Sequence, residues 1–236
     1  MSYLRYQDSS ADGIGSSPAS MASRVAWSGM SQATFSTHVL PYFGIALFLT
    51  ACGTSVGKVL SPAFVLPAAL LNLGLYFVLL WKRHVPGLNV ALLYGYAFIN
   101  GLLIGPSVAM IGKAFPGLVT QAFILTAVSF FAVAAYVIAS GKDCSGLAPF
   151  LIAGLFVIVI GGIINLFTGG AGLGLGLAII SVVVFLAFTA YDMSNIMHKF
   201  RDDEYILATV ELYLDFLNLF LAFLRILLHL AASQRR

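Results

Sequence analysis

Charge is scarce in this sequence: nine acidic and twelve basic residues in 236, or 9%, against 60% hydrophobic. A soluble domain carries about 25% charged residues, so there is too little charge here to coat a water-facing surface. Cysteine is scarcer. Cys52 and Cys144 stand alone, which gives neither a metal-ligand spacing nor a disulfide framework. The basic residues form no stripe with interleaved aromatics, so a nucleic-acid surface is excluded. The Gly-rich stretch GGAGLGLG at 169–176 lacks the Gly-Lys-Ser/Thr ending of a phosphate loop and the strand before it. It reads as a flexible connection. No internal repeat is visible.

What the sequence has is apolar length. Runs of about 20 apolar residues are long enough to cross about 30 Å of hydrocarbon. Seven such runs occur, at roughly 38–57, 63–81, 87–111, 117–139, 147–167, 173–196 and 205–230. They are continuously apolar rather than alternating, which argues against a transmembrane barrel. Many contain Gly, Ala and Ser, which let membrane helices approach closely. The fold predicted is all-α: a polytopic seven-helix bundle over residues 36–236 with short connections. Residues 1–35 are rich in Ser, Ala and Gly and read as a flexible cytoplasmic tail, with an interfacial helix around Met21–Phe35 as the alternative. They lack the early apolar stretch of a cleavable signal peptide.

Positive charge in short loops sets orientation. Arg5, Arg24, Lys82, Arg83, Lys142, Lys199 and Arg201 fall on one side, and Lys58, Lys113, Arg235 and Arg236 on the other. The tail is therefore expected in the cytoplasm and the C-terminus outside. Asp192 then lies about one turn from the inner end of the sixth span. Asp215 lies about 15 Å into the seventh, at about 1.5 Å per residue.

Those two aspartates are the most informative residues. Asp192 closes the run IISVVVFLAFTAYD, and Asp215 sits in ELYLDFLNLFLAFLRILLHL. A carboxylate near the bilayer centre costs about 2.5–3.5 kcal/mol on insertion scales, and an ionisable residue at that depth marks an ion or proton pathway. At about 100° per residue, Glu211, Asp215, Asn218, Arg225 and His229 fall within an arc of about 80° on the last span. Lipid cannot solvate such a stripe, so it must face the bundle interior. A hydrogen-bond network that only fixes helix packing is the competing reading.

The sixth and seventh spans are joined by a short loop and run antiparallel, so Asp192 and Asp215 can meet. Two carboxylates in a dry site cannot both ionise cheaply. They share a proton, and the titration belongs to the pair. Such a pair also attracts a hard cation. Ca²⁺ wants about 6–8 oxygen ligands, so two carboxylates bind it weakly, which suits a path that ions must also leave. Arg83, at the inner end of the second span, is on the correct side to pair with Asp192 as a latch released by protonation. A plain positive anchor beside Trp81 is the alternative.

The string TAYD followed by ELYLDFLNLFLAFLRI resembles the Bax inhibitor motif family of membrane proteins. YGYAFINGLLIGPSV resembles that family's third span, with Gly101 and Pro106 in its Gly-x-x-x-x-Pro places. The likeness runs from about residue 36 onward. It implies a seven-helix bundle with the last helix at the centre, and a pH-sensitive calcium leak. Two aspartates act as its sensor, at the positions of Asp192 and Asp215, and its latch arginine falls on Arg83. Where some relatives carry an acid in the second span, this chain has Asn72. Eukaryotic relatives suppress cell death in the endoplasmic reticulum, and a bacterial one restrains a membrane-bound protease.

A pH-sensitive cation leak or transporter, carrying calcium or protons, is therefore expected, with no enzyme activity and no resident cofactor beyond transient calcium. The first alternative is a non-transporting regulator that binds a membrane protease or cell-death factor. A remoter one is an intramembrane aspartyl protease, but its Gly-x-Gly-Asp element is replaced by Leu212-Tyr213-Leu214-Asp215. A rhomboid-type serine protease finds no fitting serine and histidine pair. The lipid bilayer is the obligatory partner. A bacterial inner membrane is the expected home, or the endoplasmic reticulum in a eukaryote.

Overall fold

The computed structural model of the protein describes residues 27–59 and 61–234. These form seven principal helices with no strand among the described residues: α1 Gln32–Gly57, α2 Val65–Trp81, α3 Leu88–Ala114, α4 Leu118–Ser140, α5 Ala148–Thr168, α6 Ala171–His198 and α7 Tyr205–Ser233. All but α2 are long and apolar enough to cross a membrane. Helix α2 has 17 residues, about 25 Å at 1.5 Å per residue. Pro62–Phe64, expected within that span, form a 3₁₀ turn before it. Single 3₁₀ turns also precede α5 and α7.

Helix ends follow local chemistry. Gly141 and Gly169 adopt left-handed backbone (φ 62° and 63°) and close α4 and α5. Their N–H groups reach the Val137 and Asn165 carbonyls at 2.9 Å. A residue with a Cβ pays for that conformation. Inside α1, Pro41 has no N–H to give Thr37, and its ring would crowd that carbonyl. The helix widens just before it into a π-helical turn over Phe35–Val39, where the Leu40 N–H bonds to the Phe35 carbonyl.

Helices α1 and α3 cross with their backbones in contact. A side-chain carbon on Gly53 would strike the Phe98 carbonyl, and one on Gly101 the Thr50 carbonyl. One on Gly57 would strike the carbonyl of Leu102, the group that Pro106 leaves without its helical donor. Gly105 completes the seat, where an added side-chain carbon would lie 2.7 Å from the Gly57 backbone. Each helix thus presents a Gly-x-x-x-Gly pair to the other, the spacing that lets membrane helices touch. Helix α7 packs against α6, α4, α1 and α3. Its Phe216 meets Phe43 of α1 and Phe130 of α4 with ring centroids 5.7 and 5.4 Å away. Helices α2 and α5 are more peripheral, α2 lying on α3 and α5 on α6.

The start of the described chain is tied down. The Gly29 and Met30 N–H groups donate to the Met197 and Ile196 carbonyls at 2.8 and 3.1 Å, and the Ser31 N–H donates to Asp202 at 2.6 Å. Met30 is fully buried. Residues 27–35, assigned from the sequence to the tail, therefore lie against the bundle, and the first helix among the described residues begins at Gln32. Residues 1–26, with Arg5, Arg24 and part of the proposed interfacial helix, lie outside the described residues, as do Arg235 and Arg236.

Because the α1–α3 seat has no room for a side chain, Gly101→Val should destabilise the bundle by at least the about 1–3 kcal/mol typical of overpacking. Gly112→Val meets open space and should be close to neutral. Thermal unfolding of the purified protein in detergent checks both, and equal midpoints would refute the close crossing.

Candidate functional site: a carboxylate cavity between the last helices

The turn between α6 and α7 is built from its own charges. Glu204 accepts from the Arg201 N–H at 3.0 Å, while the Arg201 guanidinium grips Asp203 with bonds of 3.0 and 2.7 Å. This folds α7 back along α6. Asp192 precedes the end of α6 at His198 by six residues, and Asp215 follows the start of α7 at Tyr205 by ten. Their carboxyl groups are close enough to interact directly with each other. Asp192 is 7% exposed and Asp215 4%. Glu211, one turn before Asp215, is close enough to interact electrostatically with both. Neither Asp215 Oδ2 nor Glu211 Oε2 has a hydrogen-bond partner among the described residues.

These acids face a cavity of about 590 Å³. Asp192, Glu211, Asp215, Asn218 and Arg225 all line it, so four members of the α7 stripe share one space with the α6 aspartate. Ser181 and Tyr191 of α6, Tyr76 of α2 and Leu155 and Val159 of α5 are among the other residues of its walls. Asn218 returns its amide to the Leu214 carbonyl at 2.8 Å. His229, on the same stripe, is not among the lining residues.

One sequence-based candidate is placed differently. Arg83 is not brought to Asp192. Its Nε donates to His84 Nε2 at 3.0 Å, and His84 Nδ1 lies 3.9 Å from Asp203 on the α6–α7 turn. Arg83 is thus joined to the last helices through a histidine and at their turn, because the α2–α3 connection ends beside Asp203. Among the described residues no group of three or more His, Cys, Asp or Glu side chains is set to hold a metal ion. Asp192 and Asp215 alone offer a calcium ion far fewer oxygens than the about 6–8 it takes.

A second polar cluster, behind α7, is not announced by any motif in the sequence. Thr50 has carbonyls for its own hydrogen, Ala46 at 2.9 Å and Ala97 at 3.0 Å, so the buried Tyr213 hydroxyl donates to Thr50 Oγ1 at 2.8 Å. Asn100 lies within hydrogen-bonding reach of Tyr213 and joins Asn72 of α2 at 3.0 Å. The only signal is single polar residues in apolar runs, at Thr50, Asn72 and Asn100. Their pairing needs the α1–α3 crossing, which no single run reveals.

The profile of the family described as "Inhibitor of apoptosis-promoting Bax1" matches residues 32–233. The chain is similar to the mouse (Mus musculus) protein lifeguard 4, 35% identical over 181 residues that cover 77% of this chain and 74% of that one. It is similar to the Golgi anti-apoptotic protein of vaccinia virus (strain Lister), 34% identical over 167 residues, 71% of this chain and 69% of that one. An uncharacterized membrane protein of Vibrio cholerae is 31% identical over 170 residues, 71% and 76% of the two chains.

Thr50→Val strands the Tyr213 hydroxyl in the interior and should cost about 1–3 kcal/mol, whereas Tyr213→Phe removes donor and need together and should cost about 1 kcal/mol. Thermal midpoints in detergent measure the two. A Tyr213→Phe variant less stable than the Thr50→Val variant would overturn the donor assignment.

Proposed function

The chain belongs to the Bax inhibitor family, and on that footing we propose that this integral membrane protein is a pH-sensitive cation leak, conducting calcium. In this reading all seven helices span the membrane, α7 is the axis of the bundle, and the N-terminus is cytoplasmic. The host is a bacterial inner membrane, or the endoplasmic reticulum in a eukaryote. One observation carries the reading: Asp192 and Asp215, buried and close enough to interact directly, open onto a cavity that Glu211, Asn218 and Arg225 also line.

Paired acids of this kind are a proton-controlled valve. With both carboxyls charged, their repulsion is relieved by separation or by a cation between them; with a shared proton they hold together. Weak cation binding by few oxygens favours passage over capture. Arg83 serves as the latch by way of the α6–α7 turn: its bond to His84, and the approach of His84 to Asp203, fasten the α2–α3 connection to the hairpin that carries the acids.

The names of the relatives support a second reading. The Golgi anti-apoptotic protein is named for opposing cell death, and lifeguard 4 for protection. Binding of a membrane protease or cell-death factor is therefore the alternative role, and the acids would then set packing alone.

The deciding measurement is calcium flux in proteoliposomes of the purified protein across about pH 5–8, with no partner present. Wild type should show flux that changes with pH. Asp215→Asn and Asp192→Asn should each lose the pH dependence and change the flux about tenfold or more. Flux absent from wild type, or unmoved in both variants, rejects the leak in favour of the partner-binding role. Arg83→Ala should alter the pH profile while the dyad remains; an unchanged profile removes the latch.

A further inference from the structure

We infer that the carboxylate cavity is also a receptor site for a cationic amphiphile, a protonated long-chain amine that enters from the lipid between α2 and α5. The inference is independent of whether the cavity conducts.

The shape of the cavity wall carries the first half of the argument. Leu155 and Val159 line the cavity and are 42% and 50% exposed. They stand near the middle of the 21-residue helix, at the depth of acyl chains. Tyr76, the α2 contribution, is likewise well inside its helix. Helix α2 lies on α3 and α5 on α6, and residues of both α2 and α5 stand in the cavity wall; the inferred entry is between these two helices. An alkyl chain crossing this apolar rim exchanges lipid for side chains of similar character.

Charge complementarity carries the second half. Asp215 is 4% exposed, lines the cavity and has Oδ2 without a hydrogen-bond partner among the described residues; Glu211 Oε2 is in the same condition. An ammonium group supplies up to three donors, and leaving a buried acceptor without a partner is costly. Arg225, the cation among the lining residues, stands ten residues beyond Asp215, about 15 Å along α7. The acid end therefore selects a cation. An alcohol of equal chain length gains the rim but not the carboxylates, and a short amine gains the carboxylates but not the rim.

The test uses the full chain in detergent, with retention of dodecylammonium, dodecanol and methylammonium compared by native mass spectrometry. Dodecylammonium should be retained at least about tenfold more tightly than either of the others. Val159→Trp, which fills the rim, and Asp215→Asn, which neutralises the floor, should each weaken retention about tenfold. Phe156→Trp, on the exposed face outside the cavity, should not. Thermal midpoints identify any variant that has lost its fold, and Leu155→Trp then stands in for Val159→Trp. Equal retention of dodecanol, or undiminished retention by a folded rim variant, overturns the site. Retention without calcium flux supports the site and defeats only the leak.

Discussion

Hydrocarbon offers a carboxylate no partner, so the acids of this chain must meet other polar groups inside the protein. That constraint orders the whole bundle. Asp192 and Asp215 are brought to one place because α6 and α7 pack along each other, joined by a turn in which Arg201 pairs with Asp203 and Glu204 accepts from the Arg201 N–H. Every other member of the α7 stripe that lines the cavity inherits its position from that pairing.

The packing around the pair uses two different means. Where α1 crosses α3, glycines remove side chains altogether and the backbones touch. Around α7 the space is filled instead by rings, with Phe216 packed edge-on against the stacked pair Phe43 and Phe130. Neither means depends on hydrophobic contrast with the surroundings, since lipid is as apolar as the core. Fit and internal hydrogen bonds take over, and the Tyr213–Thr50 bond behind α7 is the clearest example.

The helices and the acid stripe were legible in the sequence because isolated charges in apolar runs are rare and the helical period places them on one face. Glu211, Asp215, Asn218 and Arg225 share a cavity as that period implies. The position of Arg83 was not legible: a side chain on a connection is set by where its neighbours end, and here His84 and Asp203 intervene. The shortness of α2 was hidden because Pro62–Phe64 are apolar yet form a separate turn. The docking of residues 27–31 left little trace in composition either: backbone N–H groups make most of its bonds, and its one special requirement is a glycine at position 29, where a side-chain carbon would strike the backbone at the end of α6.

That docking has a mechanical consequence. Helix α6 ends in carbonyls that its own backbone cannot satisfy, and Gly29 and Met30 supply donors to two of them, at Met197 and Ile196. Ile196 is about one turn from Asp192. The residues just before α1 are thus tied, main chain to main chain, to the helix that bears one half of the acid pair.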